Sequence, residues 1–107
     1  MKIVRGDSIE LDFTVNYKEP LSDDWTAKWV IIEKLGDETT IQQSGDLVRN
    51  DNTFELRITP AISELIEAGK YHLCVEIRND VINYRKEEKQ EPLEILLRGV
   101  FPTPILP

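Results

Sequence analysis

A chain of 107 residues, 40% hydrophobic and 31% charged, is one globular domain with a single core. Its net charge of −7 and pI near 4.7 repel nucleic-acid phosphates and anionic membranes, so neither is an expected partner. No apolar run reaches the roughly 20 residues that span a bilayer. The first residues lack the apolar stretch of a signal peptide. A lone cysteine, Cys74, excludes an intramolecular disulfide and fits a reducing cytoplasm.

Residues 2–5 read as a short edge segment, and Gly6, Asp7 and Ser8 as a bend. Ile9, Leu11, Phe13 and Val15 then alternate with Glu10, Asp12, Thr14 and Asn16, the period of a half-buried strand. Residues 18–24 form a loop broken by Pro20 and by Ser22, Asp23 and Asp24. Residues 25–34 give a second strand, with Ala27, Trp29 and Ile31 on one face and Lys28 and Val30 on the other. Trp25 is read as facing away from Trp29. It is either an exposed interface anchor or a plug at the end of the domain. Gly36 and Asp37 turn the chain into a strand at 39–44, Gly45 and Asp46 break it, and Asn50, Asp51 and Asn52 turn again. Phe54, Leu56 and Ile58 alternate in the next strand.

The stretch from Pro60 to Cys74 carries the most information. Thr59 can cap a helical turn that opens on Pro60, and Gly69 can supply a left-handed residue where the turn ends. Tyr71, Leu73, Val75 and Ile77 then alternate with His72, Cys74, Glu76 and Arg78. A Tyr opening a strand after such a corner matches the tyrosine corner of immunoglobulin-like sandwiches. Asn79 and Asp80 lead into a strand at 81–85. The charged run at 86–91 reads as a solvated loop or strand rim, and Leu93, Ile95 and Leu97 as a last strand. Three prolines in residues 101–107 cannot continue a sheet, so this segment is an extended arm.

These elements predict an all-β, immunoglobulin-like antiparallel β-sandwich of seven to eight strands over residues 1–100, with one short helical turn near 60–66. The expected core includes Leu11, Phe13, Leu65 and Leu97 beside the alternating residues of the other strands. The apolar arm of 101–107 is expected to seek a partner through Phe101, Ile105 and Leu106.

Chemistry is hard to find in these residues. His72 and Cys74 share a strand face but lack the further ligands of a zinc site and any third group to orient them as a catalytic pair. Asn50, Asp51 and Asn52 are the nearest approach to a calcium loop, in a common turn composition. There is no glycine-rich phosphate loop. The expectation is no enzyme activity, no catalytic residue, no metal and no cofactor. Tyr17, Trp25 and Tyr84 are the candidates for an exposed aromatic cluster that would bind carbohydrate.

The order of the motifs resembles a family of small immunoglobulin-like proteins of tailed bacteriophages, among them the N-terminal domains of baseplate upper proteins and short virion-associated proteins. The residues concerned are Arg5, Gly6, Asp7 and Ser8 before Ile9, Leu11 and Phe13; the run from Trp25 to Ile31; Thr59 and Pro60 with Leu65; Ala68, Gly69, Lys70 and Tyr71; and Leu97, Arg98, Gly99 and Val100. Antibody domains place a cysteine two residues after the corner Tyr. Here Leu73 holds that position, so their disulfide is excluded. The resemblance implies a structural module of a virion, in tail, baseplate or head, assembled in the bacterial cytoplasm. It would act as a homo-oligomer or by docking on a larger virion protein, with Trp25, Phe101, Ile105 and Leu106 as contact residues. A carbohydrate- or host-surface-binding module is the alternative.

Overall fold

A computed structural model describes residues 1–98. Eight strands run β1 (Lys2–Val4), β2 (Ile9–Thr14), β3 (Thr26–Ile32), β4 (Ile41–Asp46), β5 (Val48–Asn50), β6 (Thr53–Ile58), β7 (Gly69–Asn79) and β8 (Tyr84–Leu96). A 3-10 turn at Glu38–Thr40 precedes β4, and one helical turn, α1 (Pro60–Ser63), follows β6. The strands form a five-stranded sheet, β1-β8-β7-β3-β4, packed on a three-stranded sheet, β2-β6-β5. This is the expected immunoglobulin-like sandwich. One pairing departs from the antiparallel rule: β1 runs parallel to β8, with Ile3 opposite Ile95.

The core follows from the alternation. Phe54, Leu56 and Ile58 of β6 and Leu73, Val75 and Ile77 of β7 are almost wholly buried. Each such side chain contributes about 1.5–3 kcal/mol relative to exposure. Leu11 and Phe13 are only half-buried, because β2 is an edge strand and one flank stays open. Leu65 and Leu97, expected inside, are 67% and 73% exposed. Ile66 takes the inward place of Leu65, since α1 stops at Ser63 and the chain swings by a further residue.

The tyrosine corner is present. Tyr71 is buried at the start of β7, and its hydroxyl donates to Glu67 O, four residues back, at 2.7 Å. Thr59 does not cap α1 with its side chain; its carbonyl accepts from Ile62 N and Ser63 N instead. The buried Ser63 hydroxyl donates to Asp7 O at 2.8 Å, tying α1 to the bend before β2. Gly69 opens β7 as extended backbone rather than in the left-handed region.

Gly45 and Asp46 do not break the sheet: they end β4, in register with Trp29 and Lys28. A Cβ on Gly45 would lie 2.8 Å from Trp29 Nε1, so the glycine makes room for the indole. Leu47 is buried there, its N–H donating to Ala27 O at 3.0 Å, and the chain crosses to the smaller sheet as β5. The charged run at 86–91 is a strand rim rather than a loop, since β1 pairs with β8 only at 94–96 and leaves this stretch with one open edge. It lies within β8, which pairs with β7 along its whole length except for a register shift beside Val75 and Glu76. No residue between 84 and 92 is fully buried, so this half of β8 carries no apolar alternation. The strand expected at 81–85 is a turn, 80–83, followed by β8. The arm at 101–107 lies outside the described residues.

Candidate functional site

Three connections meet at one end of the sandwich: the β2–β3 loop, the β5–β6 turn and the β7–β8 turn. Val15 N donates to Asn52 O at 2.8 Å, joining the first two. Trp25 joins the first to the third. Its ring meets Tyr17, at a centroid distance of 5.3 Å, and Tyr84, at 4.9 Å, both tilted. Such tilted pairs add about 0.5–1.5 kcal/mol beyond their buried area. Arg49 of β5 pins the loop from below, donating to Leu21 O at 2.8 Å and also to Ser22 O, with Asp23 at 3.4 Å. Leu21 is buried under it.

The β7–β8 turn projects from this platform. Asn79 is buried and its Oδ1 accepts from Val81 N at 3.0 Å, an Asx turn that fixes the bend. Arg78 grips the Asp80 carboxylate, with Nη2–Oδ2 at 3.0 Å. Asn83 closes the turn at φ +53°. The result lifts Val81, 73% exposed, and Ile82, 46% exposed, to the tip of the two longest strands. Around the tip, the connecting loops carry Glu19, Asp23, Asp24, Asp51 and Asp80, with Lys18 as their one cation. The end is an apolar knob in an acidic collar, held on a rigid aromatic base.

Trp25 is therefore not an exposed anchor. It is 5% exposed and faces the same way as Trp29. The two positions are four apart, and an even spacing along extended chain puts both side chains on one face. Of the two readings left open above, the plug is the one observed. Tyr17 and Tyr84, both half-buried, do meet at Trp25 as one cluster. Phe101, Ile105 and Leu106 lie outside the described residues. Val81 and Ile82 were missed, being read as the start of a strand. The signal was there in Asn79, Asp80 and Asn83, turn-forming residues spread over five positions.

His72 and Cys74 lie half-buried on the outer face of the larger sheet, away from this end. Burial, and then Glu87, push the Cys74 thiol above its ordinary pKa, so the reactive thiolate is disfavoured at neutral pH. Among the described residues, no three acidic, His or Cys side chains converge as a metal site would require. Compared with known protein families and with curated proteins, the chain matches none.

Proposed function

We propose that this chain is a non-enzymatic interaction module of a virion, docking on a larger protein of the particle through the loop end of its sandwich. One observation carries the docking surface: two adjacent aliphatic side chains, Val81 and Ile82, stand exposed on a turn braced by Asn79, Arg78 and the Trp25 cluster. A braced tip loses little conformational entropy on binding, so its apolar area converts efficiently into affinity. The acidic collar selects a socket with basic residues at its rim and speeds encounter with it. The particle itself enters through the order of motifs from Arg5 to Val100, which resembles that of tailed-phage virion proteins.

The test is a photo-crosslinking residue at Val81, in the chain expressed during infection of its own host. The expected result is one discrete adduct with a particle protein, lost when Ile82→Asp is added and weakened by salt. Absence of the chain from purified particles would refute the virion setting. Incorporation unaffected by Val81→Asp and Ile82→Asp together would refute the loop end as the contact.

Convergence of Tyr17, Trp25 and Tyr84 favours a second reading, carbohydrate binding at the same end. Sugar rings stack on open aromatic faces, and Trp25 is 5% exposed, which leaves the half-buried Tyr17 and Tyr84 to carry it. A glycan-array signal abolished by Tyr84→Ala would establish this reading over the first.

A further inference from the structure

An antiparallel sheet that packs on one side ordinarily presents a polar face to solvent on the other. The larger sheet does so only in part: between Lys28, His72, Glu76 and Arg78 its outer face carries an apolar strip. Val30 of β3 and Cys74 of β7 are paired in register and half-buried on its outer face. Ile32, the next outward position on β3, is 6% exposed although it lies outside the core between the sheets. Leu35 stands beside them, 45% exposed, in a turn where Gly36 takes φ +81°. Together they floor and wall a groove of about 630 Å³ whose rim carries Lys28, Glu38, Glu76 and Glu87.

We propose that this outer face binds a second copy of the chain about a two-fold axis. A two-fold contact uses one patch twice, so the patch must hold both halves of every interaction. This one does. Leu35 is a protruding aliphatic side chain next to an apolar hollow, so each copy can set its Leu35 into the hollow of the other. Lys28 stands on the same rim as the carboxylates, so each copy's cation meets its mate's acids. Glu76 is already engaged by Arg78 and Arg85, at 3.9 and 3.7 Å. That leaves Glu38 and Glu87 for Lys28. Two other surfaces are poorer places for a second copy. At the loop end Asp23 and Asp80 are paired with arginines, but a two-fold axis would still press Glu19, Asp24 and Asp51 against their own images. At the free edge of β2, two-fold pairing centred on Leu11 would set Glu10 against Asp12, and like charges directly opposite are destabilising. The inference does not depend on the docking role given to the loop end.

Sedimentation velocity of the full chain in reductant, over a concentration series, tests it. The expected result is a reversible dimer. Leu35→Asp leaves monomer only. Lys28→Glu makes the rim wholly acidic, and Glu38→Lys with Glu87→Lys reverses its main acids; each weakens the dimer about tenfold or more. Mixed together, these two charge variants associate one to one more tightly than either does alone. All four altered positions are exposed; cooperative urea unfolding confirms that each variant is folded. A wild-type chain that stays monomeric at its highest soluble concentration overturns the proposal. So does a dimer indifferent to Leu35→Asp, or charge variants that fail to rescue one another.

Discussion

Tyr71→Phe isolates what the corner contributes. The substitution removes one oxygen and keeps the ring, which is buried where β7 leaves the corner. The lost bond runs from the hydroxyl to Glu67 O at 2.7 Å. A neutral hydrogen bond is worth roughly 1 kcal/mol net, and a carbonyl left without a donor in a partly buried site costs somewhat more, so about 1–2 kcal/mol is expected. In a domain of this size that lowers Tm by roughly 4–8 °C for each kcal/mol. Urea and thermal unfolding read it directly. Glu67→Ala is the control: the acceptor is a backbone carbonyl, so its midpoint should stay within about 0.5 kcal/mol of wild type. Alkaline pH supplies a second readout. Burial, then Glu33 and Glu67, raise the phenol above its ordinary value of about 10. The unfolded chain therefore loses that proton first. The corner's contribution is complete below about pH 10 and is lost as pH rises toward the folded value. Wild type should fall more steeply there than Tyr71→Phe. Equal midpoints at neutral pH, or parallel alkaline limbs, would refute the reasoning.

Trp25→Ala should cost about 3–5 kcal/mol in urea unfolding, because the ring is buried and braced by two tyrosines; a loss under about 1 kcal/mol would mean the loop end is not built on it. Gly45→Ala should destabilise by about 1–3 kcal/mol, since the new methyl meets the Trp29 indole at 2.8 Å. A midpoint equal to wild type would show that the indole can move aside.

Where apolar and polar residues alternate against a covered face, local sequence was enough. β2, β6 and the first half of β7 could be placed from Ile9 to Val15, Phe54 to Ile58 and Tyr71 to Ile77. The corner was legible because Pro60 and Tyr71 each act over a few residues. What escaped is set at long range. The stretch of β8 from Arg85 to Glu91 is a strand because β7 pairs with it, not because of any pattern of its own. Gly45 looks like a breaker until Trp29 is seen to lie across it. Val48–Asn50 is three residues long, too short for a period to show. At the candidate site the aromatic residues could be named but not assembled. Nothing local says that Tyr17 and Tyr84 both arrive at Trp25, and the exposed pair Val81 and Ile82 has the composition of an ordinary strand.

The parallel pairing of β1 with β8 determines how the domain meets a pulling force. The ladder sets Lys2, Ile3 and Val4 beside Glu94, Ile95 and Leu96, and is extended by Glu94 N to Met1 O at 2.9 Å and Arg5 N to Leu96 O at 2.8 Å. Tension drawing Met1 and Arg98 apart would slide these two strands along each other. In that shearing geometry the bonds share the load and fail together, whereas an antiparallel pair at the chain ends would peel open one bond at a time. Rupture under load is governed by the unfolding rate, and here that rate would be set by the short seam of β1 on β8, at the end of the sandwich opposite the acidic tip. A domain tethered at each end would thus resist strain through this seam before its sandwich opened.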